Sequence, residues 1–161
     1  MIKLVNLLKE ITEGKQVGTL YHYTSIENLS YILKDEYIIP NSENQVSTTR
    51  NKDIDTTPFL GYNKKIKNTV RLKLNGDKIS NKYKIQPYLY DEDTANPKDR
   101  LPAYISKYEF EEQILTNGEN LPIFPYLEQV DIFIKDNNDS TISKIKSLLK
   151  EKNIPYEIIK L

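Results

Sequence analysis

Short segments with the pattern of β-strands, separated by amphipathic helices, constrain the fold of this chain most strongly. Apolar and polar residues alternate over 69–75, and Asn75-Gly76 follows as a turn signal. The other strand-like segments are 18–24, 45–49, 111–116, 126–135 and 155–160. Residues 50–68 show no clear period and are predicted to form a long loop or a short helix, and residues 81–103 are rich in turn signals. Because strands and helices are mixed along the chain, the pattern predicts an α+β fold.

Three segments have the apolar periodicity of an amphipathic helix. Residues 1–14 form the first, and the charges among them argue against a signal sequence or a membrane span. Thr24 and Glu27 have capping-box spacing, so a second helix is predicted with Thr24 as its N-cap. Asp139 or Ser140 is predicted to cap a third helix. The sequence leaves open whether the strand after it is a parallel crossover or an antiparallel return.

The bulk composition excludes several kinds of site. The chain has 161 residues, which fits one domain, and its 23 basic and 23 acidic residues leave no net charge to attract nucleic acid or a membrane. With no cysteine and one histidine, disulfides, thiolate nucleophiles and metal sites of the Cys or His-rich type are excluded. These features predict a single metal-free domain, 1–161, in a reducing cytoplasm.

The segment around His22 carries the most informative polar side chains. On a strand, His22 and Thr24 face one side, while Tyr21 and Tyr23 face the other. A helix begins at once, so its partly positive N-terminus lies next to the polar pair and favours a polar or anionic ligand. The alternative is a hydrogen-bonded histidine with a purely structural role.

Three motifs resemble those of ADP-ribosyltransferase-like domains, in the same order along the chain. His22-Tyr23-Thr24-Ser25 resembles the His-x-Thr motif of the branch that includes diphtheria toxin and PARP enzymes. Val46-Ser47-Thr48-Thr49-Arg50 resembles the second motif, with a Ser-Thr pair closer to the arginine-specific branch. Glu109-Phe110-Glu111-Glu112-Gln113-Ile114-Leu115 resembles the third, a glutamate that opens an apolar strand. The layout over about 18–135 is most similar to small phage and bacterial members and, more distantly, to DarT-like nucleic-acid modifiers.

The resemblance implies a fold, a co-substrate and a reaction. The implied fold is a split β-sandwich of two small sheets with flanking helices. It comprises an N-terminal helix (1–14), a core (18–135) and a C-terminal helix and strand (139–161). The implied reaction is ADP-ribosyl transfer from NAD, as co-substrate, to a protein or nucleic-acid acceptor. The resemblance to phage and bacterial members implies that the protein acts in the cytoplasm of a bacterial host cell. Its implied role there is phage host takeover, anti-defence or that of a toxin.

The resemblance also assigns cofactor contacts to particular residues. His22 is expected to bond a ribose hydroxyl of NAD, and Thr24 to hold the ribose next to nicotinamide. Ser47 and Thr48 of the second motif are expected to contact the cofactor, and Tyr62 to stack on the nicotinamide ring.

The third motif supplies the catalytic candidates. Glu112 is expected to bond the nicotinamide ribose and to stabilise the positive charge that develops there in the transition state. Glu109 and Glu111 are the other acidic candidates, because a second carboxylate can deprotonate the acceptor. The alternative is a charged entry to the strand that is solvated and inert.

Three arginines supply candidate phosphate contacts. Arg50 is expected to bind the NAD pyrophosphate, because guanidinium groups bind phosphate in bidentate fashion. Arg71 shares the polar face of 69–75 with Lys73, and that face borders either solvent or the cleft. Arg100 is the third arginine.

Two alternatives to ADP-ribosyl transfer remain open. Arg50, Arg71 and Arg100 also fit an RNA 2′-phosphotransferase on the same scaffold. The other alternative is a non-catalytic binding protein that keeps the fold.

Overall fold

The computed structural model describes residues 17–52, 68–87, 111–135 and 140–161. Several predictions concern residues outside these ranges, namely the helix 1–14, Tyr62, Arg100, Glu109 and the possible cap at Asp139. Along the chain, the elements are β1 (Thr19–Ser25), α1 (Ile26–Asp35), β2 (Tyr37–Ile38), β3 (Gln45–Thr49), β4 (Asn68–Asn75), α2 (Gly76–Ser80), β5 (Lys84–Pro87), β6 (Glu111–Leu115), β7 (Leu121–Pro122), β8 (Leu127–Ile134), α3 (Ser140–Glu151) and β9 (Tyr156–Lys160).

Within the described residues, seven strands form one sheet in the order β5-β6-β3-β1-β4-β8-β9, and β2 and β7 form a second, two-stranded sheet. Neighbouring strands are antiparallel, except that β8 and β9 are parallel. Helix α3 therefore makes the parallel crossover between them, which the sequence had left undecided. The α+β fold is confirmed.

The large sheet has a weak boundary between β1 and β3, which we call the seam. In the described residues, these strands share one register pair, Tyr21 with Thr49. By contrast, β1 pairs with β4 along its whole length from Thr19 to Ser25. The sheet thus divides into a β5-β6-β3 half and a β1-β4-β8-β9 half. In place of two small sheets, the described residues therefore form one large sheet, joined at the seam, and the small β2-β7 sheet.

One face of the large sheet packs against α1 and α3 to form the core. Alternation brings every second residue of β4 to this face, and the amphipathic helices bury the apolar side of each turn. The helical residues buried there are Ile26, Leu29, Ile32, Leu33, Ile142, Ile145 and Leu149. Across the described ranges, no helix is long and apolar enough to cross a bilayer.

Two local predictions were wrong, and one was confirmed. The N-cap of α1 is Ser25 rather than Thr24, since the Ser25 hydroxyl accepts from the Asn28 amide at 3.2 Å. Strand β4 ends at Asn75, as predicted, and the Asn75 side chain then caps α2 by accepting from the Lys78 amide at 3.0 Å. The predicted turn-rich segment 81–103 contains strand β5, which gains its order by pairing with β6.

A Gly76→Ala substitution is expected to lower the free energy of unfolding by about 1–3 kcal/mol, because the site has no room for a methyl group. The Gly76 amide donates to the Gly18 carbonyl at 2.8 Å. A Cβ on Gly76 would overlap that oxygen and lie 2.7 Å from Cγ1 of Val17. Urea unfolding measures the change. The exposed Lys78→Ala in the same helix is the control, and an equal effect of both would contradict this account.

Candidate active site

Residues from three strands share one face of the sheet across the seam. His22 lies opposite Leu72, and Thr48 lies opposite Glu112, while the Tyr21–Thr49 pair occupies the other face. Directly paired residues share a face and successive residues alternate, so His22, Thr48 and Glu112 face the same side. Two strand spacings separate the backbones of His22 and Glu112, which is about 10 Å. The imidazole and the carboxylate therefore lie on opposite sides of the seam.

The His22 side chain bridges the seam. Its Nδ1 lies 2.9 Å from the Ser47 carbonyl oxygen on β3. Because a carbonyl can only accept, Nδ1 donates, and Nε2 of the neutral ring is left as an acceptor. Burial lowers the pKa of His22, and the hydrogen bond to Ser47 offsets part of that effect. The ring is therefore neutral near pH 7.

The titration of His22 can be predicted with its sign. Its pKa should lie below the ordinary value of 6.5 in the folded chain. The unfolded chain then binds more protons in the window just below pH 6.5, so the free energy of unfolding falls as the pH drops through that window. Well above pH 6.5 the imidazole is neutral in both the folded and the unfolded chain, so the free energy of unfolding has its full value there. Because the chain has one histidine, its imidazole NMR signal needs no assignment by mutation. A midpoint at or above 6.5 would contradict the prediction.

Glu112 combines an ion pair with an unsatisfied oxygen. Its side chain is 13% exposed, and Oε1 accepts from Nε of Arg50. The other oxygen, Oε2, is buried and has no hydrogen-bond partner among the described residues. A buried carboxylate oxygen without a donor costs free energy, so a hydroxyl or N–H group of a ligand would be stabilised there.

Thr48 in β3 bonds the backbone of Glu112, and Arg50, just after β3, bonds its carboxylate. The Thr48 hydroxyl donates to the backbone carbonyl of Glu112 at 2.9 Å, and the Thr48 side chain is buried. Arg50 follows the end of β3, and 46% of its side chain is exposed. Since its Nε donates to Glu112, its two terminal nitrogens are the donors that remain to bind a phosphate.

The structure brings some predicted site residues together and separates others. Thr24 is buried on the same strand face as His22. Ser47 lies on the opposite face from Thr48, where its hydroxyl accepts from the Gln113 amide at 3.2 Å. The backbone of Glu111 pairs with Thr49. None of these contacts tests cofactor binding, so the assigned roles stay predictions.

Arg71 lies on the face opposite His22, and its guanidinium is held by the protein itself. Its Nε and Nη2 donate to Asp131 Oδ2 at 2.9 and 2.6 Å. The guanidinium also lies 5.2 Å from the ring centroid of Tyr21 and 5.1 Å from that of Phe133. Sequence reasoning missed Asp131, although an acid within the apolar stretch Val130–Ile134 is a signal that a buried cation is near.

A cavity of about 540 Å³ lies apart from this site, between the end of α1 and the small β2-β7 sheet. Its lining includes Glu36, Tyr83 and Phe124, and none of the predicted site residues. Tyr83 is buried against Tyr126 with an edge-to-face ring contact, which is ordinary core packing. Among the described residues, no three His, Asp or Glu side chains are grouped to hold a metal ion.

Comparison with known proteins supports the fold. No protein-family model and no curated protein matches this sequence. The solved structure of Thermus sp. 2.9 DarT in complex with NAD+ has a TM-score of 0.58 and 11% sequence identity, covering 92% of this chain and 97% of that chain. Thermus sp. 2.9 DarT in complex with carba-NAD+ has a TM-score of 0.57 and 12% identity, covering 90% and 96%. The chain is therefore similar to DarT in fold, as the α+β architecture with a large and a small sheet also indicates.

Proposed function

We propose that this chain is an NAD-dependent ADP-ribosyltransferase whose substrate site lies at the seam. One observation carries the proposal: His22 and Glu112 face the same side across the seam, and Oε2 of Glu112 is buried without a donor. The structures of similar fold are complexes of DarT with NAD+ and carba-NAD+, which supports NAD as the co-substrate.

The Glu112 carboxylate supplies the electrostatic part of the reaction. The bond between C1′ of the ribose and the nicotinamide nitrogen breaks, nicotinamide leaves with the electron pair, and positive charge develops on the ribose. A preorganised carboxylate stabilises that charge where it forms. With Oε1 held by Arg50, Oε2 of Glu112 accepts from a ribose hydroxyl.

The remaining residues bind NAD and prepare the acceptor. Nε2 of His22 accepts from a ribose hydroxyl, and the terminal nitrogens of Arg50 bind the pyrophosphate. Tyr62 stacks on nicotinamide. The acceptor nucleophile forms the new bond to C1′ and loses its proton to a base, for which Glu109 and Glu111 are the candidates.

Incubation with NAD labelled in the adenylate group tests this function. We expect release of nicotinamide and transfer of the label to a protein or nucleic-acid acceptor in a bacterial lysate. His22→Ala should abolish both. Mass spectrometry of the labelled acceptor then tests the host-takeover, anti-defence and toxin roles. NAD binding without release would indicate a non-catalytic binding protein instead. NAD-dependent loss of phosphate from 2′-phosphorylated RNA would indicate a phosphotransferase.

A further inference from the structure

We propose that Tyr23 and Arg71 are positioning residues that hold Arg50 against Glu112 from the opposite face of the sheet. They do so by fixing the backbone at Asn51 and Lys52. The inference rests on the proposed function for its effect on turnover, whereas the anchoring itself is a property of the fold.

Two consecutive carbonyl groups immediately after Arg50 are bound by side chains from β1 and β4. The Tyr23 hydroxyl donates to the carbonyl of Asn51 at 3.2 Å, and Nη1 of Arg71 donates to the carbonyl of Lys52. The Asn51 amide in turn donates to the Thr49 hydroxyl at 3.0 Å. We call these bonds from Tyr23 and Arg71 to the Asn51 and Lys52 carbonyls the anchor. The anchor fixes the backbone directly after Arg50, the residue that pairs with Glu112.

The anchor is rigid because its donors are themselves fixed. Arg71 is bonded twice to Oδ2 of Asp131, and Gln129 donates to Oδ1 of the same carboxylate at 2.6 Å. Asp131 is buried, and the Arg71 side chain is 15% exposed. Tyr23 is also buried, packed against Phe133. Buried side chains that are held by several hydrogen bonds are already ordered, so holding the residues after Arg50 costs them little further entropy.

The position of the anchor explains why it matters. Arg50 and Glu112 belong to the β3-β6 half of the sheet, while Tyr23 and Arg71 belong to the other half. The two halves share one register pair, so the end of β3 needs further support. His22 supplies a bond to Ser47 on the site face, and the anchor supplies two bonds on the opposite face. Arg50 is half exposed, and a fixed backbone limits the arrangements its long side chain can adopt.

Tyr23→Phe tests the proposal with a matched control. It removes one hydroxyl and keeps the buried ring, whereas Tyr21→Phe removes a hydroxyl from the same strand face without touching Asn51 or Lys52. We expect Tyr23→Phe to lower kcat for nicotinamide release about three- to tenfold and to raise KM for NAD as well, because Arg50 both pairs with Glu112 and binds the pyrophosphate. Tyr21→Phe should match the wild type. Hydrogen exchange should speed up in residues 50–52 of the Tyr23→Phe chain and stay unchanged in α3.

A second variant, Arg71→Lys, removes the bond from Nη1 to Lys52 and one of the two bonds to Asp131, and it should lower kcat about 100-fold, the loss typical of a misplaced catalytic group. Equal exchange at 50–52 in Tyr23→Phe and wild type would overturn the anchor. Faster exchange with unchanged kcat would overturn its role in positioning. If wild type releases no nicotinamide, the proposed function fails on its own, and the exchange comparison still decides whether the anchor exists.

Discussion

Glu112→Gln is expected to lower kcat for nicotinamide release by about 10²- to 10³-fold, while NAD still binds. The substitution keeps the size of the side chain and removes the negative charge. The amide no longer stabilises the positive charge on the ribose, and its pairing with Arg50 is weakened. Quenched assays of nicotinamide at saturating NAD measure the effect.

Glu43→Gln provides the matched control for this substitution. Glu43 lies exposed in the loop before β3, so the same loss of charge there should leave kcat within twofold or so of wild type, as is usual for surface substitutions. A Glu112→Gln chain with wild-type kcat would remove Glu112 from the catalytic step and leave Glu109 and Glu111 as the acids to be tested.

Asp131→Ala is expected to lower the free energy of unfolding by about 3–5 kcal/mol, because it breaks a buried ion pair on one side. The Asp131 side chain is 3% exposed, and its loss would leave the largely buried Arg71 guanidinium without a carboxylate partner. Gln129 would lose its acceptor as well. Urea unfolding followed by circular dichroism measures the change.

A surface ion pair of the same sheet serves as the comparison. Lys73 and Glu128 lie 3.6 Å apart, and both side chains are 37% exposed. Glu128→Ala should cost at most about 1 kcal/mol, since water screens such pairs. If Asp131→Ala costs no more than Glu128→Ala, the Arg71–Asp131 pair is not the rigid anchor that we describe.

The elements of the fold could largely be predicted because their periodicity is local. Segment 45–49, predicted from its β-branched residues, coincides with β3, and 126–135 contains β8. The alternating segment 69–75 lies within β4. Helix α3 spans Ser140–Glu151, in agreement with the helix predicted to follow a cap at Asp139 or Ser140. Strand β5 was missed because it has four residues and depends on its pairing with β6.

The arrangement of the site could be predicted only in part, because it depends on strand register. The motifs identified His22 and Glu112, and alternation placed His22 and Thr24 on one face. The pairing of Arg50 with Glu112 joins residues 62 positions apart, and no local pattern specifies it. The sequence did not decide whether the Arg71 side chain faces solvent or the cleft. In the structure, it is instead bonded to Asp131 on the face opposite His22.

The most direct test of the account is a crystal structure of the chain with carba-NAD+, in which a carbon replaces the ring oxygen of the nicotinamide ribose. We predict that the ribose next to nicotinamide lies at the seam. One ribose hydroxyl should be within about 3 Å of Oε2 of Glu112, and another within the same distance of Nε2 of His22. Binding in the cavity beside Tyr83, or no binding at saturating analogue, would contradict the central claim.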